Sequence, residues 1–363
     1  MILYITRKYP PSIGGMQNVN FHLVTHLQKI TDLTLIAWGG SQKWLLIIFM
    51  NFLAKSIFYL LKDKRVKVIF LGDALLIPLG LLLKTVFRKP LIVWTHGLDV
   101  NWPPFLYQVF MRRFLKHADR VICISQKTKQ LCLERGVPER SIRVIPNGVI
   151  VHAAPPAPRP MHPDILPPPL RGRPTILSVG RFIERKGFHF FIAEVLPRIA
   201  ANIPEALYLL AGDGPYRNKI EAAIKKTDMH GHVHLAGIVD QATLNHFYAL
   251  ADIFVMPNLS VPGDTEGFGI VALEAGARGL WVVASRADGI TDAVQDGYNG
   301  ILVDPGQAGP MADVITRFLN DTALRGASAE KARAFVLSHY SWEKIGLDFW
   351  EIIKELAPPE DKK

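Results

Sequence analysis

The chain has 363 residues, enough for two domains of ordinary size, and 49% of them are apolar, so each domain can bury a core. Residues 1–150 carry 21 Lys and Arg against 7 Asp and Glu, whereas residues 151–363 carry 21 against 25. The basic first part favours an anionic partner, such as a nucleic acid, a phosphorylated substrate or an acidic membrane surface. The only two cysteines, Cys123 and Cys132, argue against a disulfide framework and against a cysteine metal site.

Twelve short apolar segments rich in β-branched residues are predicted as strands, and segments of helix length separate them. Such a pattern is typical of parallel sheets covered by helices on both faces, and it predicts two doubly wound α/β domains. In chain order the segments are MILYIT, DLTLIAW, VKVIFLG, LIVWTHG, RVICIS and IRVIPNGV in the first half and TILSVG, LYLLAGDG, VHLAGIV, DIFVMPN, WVVAS and GILVDP in the second.

The segment WLLIIFMNFLAKSIFYLL, residues 44–61, has nearly the length of a membrane span. Lys55 lies in its middle, which argues against a true span. Asn51, Lys55 and Lys62 recur at helical spacing on one narrow stripe. Two interpretations remain open at this point: a helix mostly buried in a protein core, and a helix lying in a membrane interface.

Residues 152–174 contain nine prolines in 23 positions and can continue neither a helix nor a central strand. This segment is predicted to link an N-terminal domain, residues 1–151, to a C-terminal domain, residues 175–340. Residues 341–357 form an amphipathic helix in the sequence pattern, and we expect it to pack back on the N-terminal domain. The opening MILYITRKYPP is too short an apolar run for a signal peptide, so we expect a cytoplasmic protein.

Ligands of open α/β domains bind at the carboxyl ends of the strands, and three groups of candidate residues come after predicted strands. After the first strand, Gly14 and Gly15 would let a phosphate approach the backbone, although an ordinary loop explains them equally well. His96 ends the fourth strand and could hydrogen-bond a sugar hydroxyl or simply its own backbone. Arg181 and Lys186 come after the seventh strand and could clamp a diphosphate, or they could be solvated cations of a basic loop.

The fourth candidate is the segment PGDTEGFGIVALEAGARG, residues 262–279, which holds two carboxylates eight positions apart. A helix beginning near Gly269 would offer free N–H groups and a positive dipole end to a phosphate or sugar oxygen. Glu274 lies within that helix and needs a partner if it is buried, since an unpaired buried carboxylate is costly. Vicinal ribose hydroxyls would serve as that partner, and so would an ordinary salt bridge.

Several familiar motifs are absent from the sequence. It contains no Asp-x-Asp, which is the common metal-binding pair of one large class of sugar transferases, and neither a G-x-S-x-G elbow nor a P-loop. The first loop is not G-x-G-x-x-G either, so a dinucleotide site is poorly supported. We therefore expect no metal site and no cofactor.

Taken together, these segments resemble the retaining glycosyltransferases of family 4 (glycosyl transferases group 1), which have the GT-B architecture of two Rossmann-like domains facing across a cleft. The resemblance covers nearly the whole chain. It depends on GG after the first strand and on THG, IPNGV, GRFIERKG, AGDGP, EGFGIVALEA and the terminal YSWEKI. The two glutamates with GFG between them, in this order with the other motifs, are its most specific part.

The resemblance implies a role for each candidate residue. Glu266 would contact hydroxyls of the donor sugar, and Glu274 would contact the ribose of the donor nucleotide. Arg181 and Lys186 would hold the diphosphate where other transferases place a metal. His96 would line the reaction centre. The remaining donor-binding positions are Gly15 near the diphosphate, Ile238 and Val239 beside the base, and the backbone of Gly267, Phe268, Gly269 and Ile270 at the donor sugar and phosphate.

The implied activity is transfer of a hexose-type sugar from a nucleoside-diphosphate sugar, with retention and without a metal. The basic and apolar first domain favours a lipid-linked or glycan acceptor at an anionic membrane surface, as in cell-envelope polysaccharide or glycolipid synthesis. Ordinary packing helices with solvated lysines explain the same residues. A sugar-nucleotide epimerase of the same architecture and a non-catalytic partner subunit are the alternatives. A nucleic-acid partner is disfavoured because the apolar segment 44–61 fits lipid better.

Overall fold

The computed structural model of the protein describes residues 1–12, 14–150, 167 and 170–357. The chain divides into two compact units, one formed by Met1–Gly148 with Tyr340–Lys363 and one formed by Val149–His339. Most of the proline-rich segment predicted as the linker, residues 151–166 and 168–169, lies outside the described residues, as does the tail from residue 358. Each unit contains one parallel six-stranded sheet.

The first unit is built on a sheet whose four central strands are almost entirely buried, which is why their sequences are continuous apolar runs. The strands lie side by side in the order β2-β1-β3-β4-β5-β6, so the order reverses between β1 and β3. Their bounds are β1 (Ile2–Thr6), β2 (Leu33–Ala37), β3 (Val68–Leu71), β4 (Leu91–Thr95), β5 (Arg120–Cys123) and β6 (Ile142–Val144).

Helices connect consecutive strands of this sheet. Their bounds are α1 (Gly15–Ile30), α2 (Leu45–Lys62), α3 (Ile77–Phe87), α4 (Leu98–Asn101), α5 (Phe105–Phe114) and α6 (Gln126–Glu134). Because crossover connections between parallel strands are right-handed, α1 covers one face, and α2, α3 and α5 cover the other. Contacts of α2 with α3 and of α3 with α5 agree with this arrangement.

The second unit repeats the architecture with the strand order β12-β11-β10-β7-β8-β9. Its strands are β7 (Thr175–Val179), β8 (Leu207–Ala211), β9 (Val233–Gly237), β10 (Ile253–Met256), β11 (Val282–Ser285) and β12 (Gly300–Val303). Its helices are α7 (Phe188–Phe190), α8 (Leu196–Asn202), α9 (Arg217–Thr227), α10 (Gln241–Leu250), α11 (Ile270–Ala277), α12 (Ile290–Ala293), α13 (Ala308–Asn320) and α14 (Thr322–Tyr340). A π-helical turn, Phe191–Val195, joins α7 to α8. The predicted class of two doubly wound α/β domains is confirmed, and each predicted strand segment contains a strand.

The last helix of the chain, α15 (Trp342–Leu356), belongs to the first unit, where it packs against α1. The ring of Trp342 lies over His22 and His26 of α1. A Cβ atom added to Gly148 would come within 2.5 Å of the Trp342 ring. The indole therefore fills the space that a side chain at position 148 would need, and glycine is required there.

Helix α2 answers the question that segment 44–61 left open. Ile48, Phe52, Ser56 and Leu60 form its buried stripe, four residues apart, and only 22% of the helix is buried. It is the one described helix long and apolar enough to cross a membrane, judged by length and composition alone. The interpretation as a mostly buried core helix is wrong, because the face opposite the stripe is apolar and exposed.

Candidate active site

His96 comes directly after β4 and is buried. Its Nε2 lies 3.1 Å from the carbonyl oxygen of Gly72. A carbonyl can only accept a hydrogen bond, so Nε2 carries the ring proton. Burial lowers the pKa of His96 to about 4, against the opposing effect of the Gly72 hydrogen bond. The imidazole is therefore neutral at physiological pH. Its Nδ1 is unprotonated and can accept a hydrogen bond from a hydroxyl group.

Two buried carboxylates fix the backbone around His96. Asp99 accepts the N–H of His96 at 2.7 Å and the N–H of Ala74 at 3.1 Å. Asp73 accepts the Nε–H of Arg7 at 2.9 Å. Burial raises the pKa of both carboxyls, and these donors oppose the rise. The ends of β1, β3 and β4 are thus tied together beside His96, at the point where the strand order of the first sheet reverses.

Gly15, the predicted diphosphate neighbour, is the first residue of α1 and is exposed. A Cβ atom there would meet no other atom within 4 Å. Packing within the first unit therefore does not explain a glycine at this position. The open N-terminus of α1 keeps its N–H groups available to an anion.

The turn after β7 carries three cations of the second unit. The side chain of Arg181 is exposed and forms no hydrogen bond or ion pair with the part of the chain that the structure describes. Arg185 and Lys186 lie in the 3₁₀ turn Glu184–Lys186. The turn ends at Gly187, whose φ is 66° and whose added Cβ would come within 1.9 Å of the Pro257 carbonyl oxygen. Only glycine allows this turn to press against the loop after β10.

Glu266 is held by side chains from both of those loops. Its Oε2 lies 2.6 Å from Lys186 Nζ and accepts the Asn258 side-chain N–H at 3.2 Å. Its backbone N–H donates to Asp288 at 3.1 Å. Burial alone would raise the pKa of Glu266, but Lys186 and Arg185 outweigh it and bring the pKa below its ordinary value. Glu266 is therefore a buried, ionised acceptor where β7 and β10 adjoin and the strand order reverses.

The backbone between the two glutamates has the predicted form. Gly269, with φ of 85°, precedes the first residue of α11, Ile270. The N–H groups of Gly267, Gly269 and Ile270 donate to no acceptor among the described residues, whereas Phe268 is buried with its ring in the protein. These donors, together with the positive end of the helix dipole, suit a phosphate or sugar oxygen.

Glu274 lies within α11 in quite different surroundings. Its Oε2 accepts the hydroxyl proton of Tyr248 at 3.1 Å. Arg278 stacks over the Tyr248 ring at 4.6 Å and donates to the Glu274 backbone carbonyl, not to its carboxylate. Desolvation raises the pKa of Glu274, and Arg278 and Tyr248 only partly oppose it. An ordinary salt bridge does not account for this residue, because its closest side-chain partner is a neutral hydroxyl.

Ile238 and Val239 come after β9, the edge strand of the second sheet. Ile238 is 85% exposed, and Val239 is partly buried. An exposed isoleucine at the carboxyl end of a strand is an unused apolar surface of the kind that a planar base covers.

The structure brings Lys186 and Glu266 into direct contact and places every other candidate at or near the carboxyl end of a strand of its own unit. His96 and Gly15 belong to the first unit, and the remaining candidates belong to the second. Sequence reasoning missed the side chains that hold the candidates in place: Arg7, Asp73, Asp99, Arg185, Tyr248, Asn258 and Arg278. Arg7, Asp73 and Asn258 lie within two residues of the end of a strand, and that position is the sequence signal that could have found them.

Within the described part of the chain, no group of three or more His, Cys, Asp or Glu side chains could hold a metal ion. The charges available to an anionic ligand in the second unit are instead Arg181, Lys186 and the N-terminus of α11. Such a set stabilises negative charge on a phosphoryl leaving group electrostatically.

Each unit matches the model of a known protein family. Residues 13–152 match the family described as Glycosyltransferase Family 4, and residues 167–335 match Glycosyl transferases group 1. A GDP-mannose-dependent alpha-(1-6)-phosphatidylinositol monomannoside mannosyltransferase of Mycolicibacterium smegmatis is 25% identical over 97% of this chain and 98% of its own length.

Two solved structures have the same fold over nearly the whole chain. Sucrose-phosphate synthase of Thermosynechococcus elongatus has a TM-score of 0.76 and 23% identity, and it covers 98% of each chain. Anabaena Alr3699/HepE in complex with UDP has a TM-score of 0.74 and 19% identity, covering 98% of this chain and 100% of that one. At these identities the likeness establishes the two-domain GT-B fold.

Proposed function

We propose, from the premise that the chain belongs to glycosyltransferase family 4, that it moves a hexose-type sugar from a nucleoside-diphosphate sugar to a lipid-linked or glycan acceptor, with retention of configuration and without a metal. The observation that carries the proposal is the contact of Lys186 with Glu266 between the loops after β7 and β10. This contact supports the proposal, because a cation that could meet the diphosphate and an ionised acceptor that could meet sugar hydroxyls lie at one strand edge.

In the proposed reaction the bond between the anomeric carbon and the diphosphate breaks as the acceptor oxygen attacks. Arg181, Lys186 and the N–H groups before α11 stabilise the charge that develops on the leaving diphosphate. The leaving phosphate takes the acceptor's proton, which agrees with the family's retaining chemistry and needs no protein nucleophile. Neutral His96 accepts a hydrogen bond from a sugar hydroxyl and does not act as a cationic acid.

The direct test is a panel of nucleotide sugars, each incubated with the protein and assayed for release of the nucleoside diphosphate. GDP-mannose comes first, since the Mycolicibacterium relative is GDP-mannose-dependent. We expect one or two donors to be hydrolysed slowly. With a lipid-linked acceptor the sugar should be transferred to it, and the nucleoside diphosphate should be released faster. NMR of the product should show the anomeric configuration of the donor. Activity that a chelator abolishes and magnesium restores would contradict the metal-independent part of the proposal.

The same assay separates the alternatives. A sugar-nucleotide epimerase would convert its substrate to the epimeric sugar without any acceptor and without forming a glycoside. A non-catalytic partner subunit would bind nucleotide and release nothing. The glutamates and cations that a degenerate subunit would be free to lose are all present, which supports the enzyme.

We also propose that the first unit binds an anionic bilayer through the sheet face that α2, α3 and α5 cover, so that the protein is cytoplasmic and peripheral. The exposed apolar side chains of this face include Leu46, Ile47, Met50, Phe58 and Leu61 on α2, Leu82 and Val86 on α3, and Phe105, Leu106 and Val109 on α5. Exposed cations border them: Lys43, Lys55, Lys62, Arg112, Arg113 and Lys116. Apolar area combined with cations is what binding at the interface of an anionic bilayer requires.

Flotation with liposomes tests this surface. The protein should float with vesicles containing phosphatidylglycerol at low salt and be partly released at high salt, and it should bind vesicles of phosphatidylcholine weakly. Leu46→Glu should reduce flotation. Leu347→Glu, which changes another exposed leucine, on α15, should not. Equal binding to neutral vesicles, or equal loss in both variants, would contradict the assignment of this face.

A further inference from the structure

Arg185 is a buried arginine whose charge lowers the pKa of Glu266, although its guanidinium forms no hydrogen bond with that carboxylate. Its side chain is 9% exposed, and its Nε and Nη1 are buried without a hydrogen-bond partner among the described residues. The nearest carboxylate oxygens are those of Asp264, 3.4 Å from Nε, and Glu266, 3.9 Å from Nη1. Burying a guanidinium with open donors is costly, and neither carboxylate accepts a hydrogen bond from these donors in this structure.

Lys186, in contrast, has two anionic partners that compete for its ammonium group. In this structure its Nζ lies 2.6 Å from Glu266 Oε2, and under the proposed function it also holds the donor diphosphate. A lysine ammonium is a compact charge on a flexible stem, and it can move between two acceptors. A diphosphate has more negative charge than a single carboxylate, so under the proposed function its binding would draw Lys186 away from Glu266.

The charged and polar groups around Glu266 decide which partner can replace Lys186. Lys186 and Arg185 face the carboxylate from the turn after β7, and Asn258 donates to it from the loop after β10. Asp288 accepts the backbone N–H of Glu266, and Asp264 lies beside Arg185. Of these groups, Arg185 is the only cation left near Glu266 once Lys186 has turned to the diphosphate.

We propose that Arg185 is a positioning residue that takes over as the counter-ion of Glu266 when the donor diphosphate engages Lys186. The inference rests on the proposed function, because it assigns Glu266 to the donor sugar and Lys186 to the diphosphate. The open Nη1 and Nε donors allow the guanidinium to form the hydrogen bonds that it lacks in the unliganded protein. Arginine suits this part because it remains charged at any physiological pH and its donors form a rigid fork. Glu266 then stays ionised and oriented toward the sugar during transfer.

The test compares Arg185→Met, which removes the charge, with Arg185→Lys, which keeps it. GDP and UDP affinities by calorimetry, donor KM, and kcat from pH 9 down to pH 3.5 are measured with the donor that the panel identifies. For Arg185→Met we expect nucleotide affinity and KM within about twofold of the parent protein, kcat at least tenfold lower, and the acidic limb of the kcat profile at higher pH. Arg185→Lys should recover part of kcat and of the profile.

Arg325→Met is the matched control. Arg325 is a partly buried arginine of the same unit that faces Asp252, 3.7 Å away, at the amino end of β10 and far along the strand from the site. Its replacement should alter the melting temperature without moving kcat or its pH profile. If Arg185→Met melts too low to assay, Arg185→Lys carries the comparison, because loss of the fork alone should still lower kcat more than it changes KM.

Three results would overturn the inference. Weaker GDP or UDP binding with an unchanged kcat profile would make Arg185 a phosphate ligand. Unchanged kinetics in both variants would mean that Lys186 serves Glu266 and the diphosphate together, without help. A parent protein that turns over no nucleotide sugar would overturn the proposed function and this inference with it, whereas the first two results leave the proposed function standing.

Discussion

Glu266 and Glu274 lie eight residues apart, yet the protein surrounds them in opposite ways. Glu266 is held by Lys186, with Arg185 nearby, and its pKa is lowered although it is buried. Glu274 accepts a neutral tyrosine hydroxyl, and its pKa is raised. The neighbouring cations therefore keep Glu266, the loop glutamate, ionised whether or not a ligand is bound. Glu274, the helix glutamate, has no cation paired with its carboxylate in the described part of the chain, so hydrogen bonds from a ligand would be needed to stabilise its ionised form.

The largest effect is expected at Glu266. Glu266→Gln keeps the size of the side chain and removes the charge that orients the donor sugar, so kcat should fall strongly while donor KM changes little. A hydrogen bond to a charged group contributes about 1.5–3 kcal/mol, which corresponds to a loss of roughly tenfold to hundredfold. Steady-state kinetics measure it. Near-normal kcat in a variant that melts several degrees lower would make Glu266 a structural residue.

Glu274→Gln should affect binding more than turnover. Contacts with the ribose exist in both the ground state and the transition state, so losing one raises KM without an equal loss of kcat. We expect donor KM to rise about tenfold, at the lower end of the range for such a bond. In thermal melts, the variant should lose the stabilisation that GDP or UDP gives the parent, whereas Glu266→Gln should keep it. The opposite pattern would exchange the two roles.

Tyr248→Phe refines the Glu274 half of the comparison. It removes only the hydroxyl that donates to the carboxylate, worth about 1 kcal/mol, so donor KM should rise roughly fivefold with kcat unchanged. Tyr208→Phe is the control, since Tyr208 is also fully buried in the second unit but its hydroxyl donates to no carboxylate among the described residues. Equal effects of the two changes would show that Tyr248 acts through packing and not through Glu274.

The smallest effect concerns pH. Because the pKa of Glu274 is raised above the ordinary 4.5, this carboxyl takes up a proton first as the solution is acidified, and donor KM should rise while the pH is still above 4.5. The pKa of Glu266 is lowered, so the fall of kcat belongs below that pH. KM and kcat profiles in buffers of constant ionic strength separate the two limbs. A single limb shared by both parameters would mean that the glutamates titrate together.

The sequence was sufficient for the strands because a strand covered on both faces must be apolar along its whole length, and that pattern is local. It was also sufficient to place Glu266 before a helix and Glu274 within it. It could not reveal that Lys186 contacts Glu266, or that Tyr248 donates to Glu274. These pairs join elements 80 and 26 residues apart, and only the packed sheet brings them together.

Helix α2 is a second feature that the sequence alone could not settle. Its composition alone fits a core helix or an interfacial one, because both are rich in large apolar residues. What decides between them is how much of the helix its neighbours cover, and that depends on the width of the sheet and on α3. The stripe of Asn51, Lys55 and Lys62 indicated that part of the helix is exposed, but it could not show how large the exposed fraction is.

The docking of α15 on α1 has a consequence for how the protein is made. The second unit is one uninterrupted stretch, whereas the first unit needs the last helix of the chain to cover α1 and to bring Trp342 against Gly148. The ribosome makes that helix after the whole second unit. The usual order, in which the N-terminal domain matures before the C-terminal one, is therefore reversed at the final step. Until α15 has left the ribosome, the nascent first unit must carry an uncovered apolar surface, and a premature stop before residue 342 would leave it that way permanently.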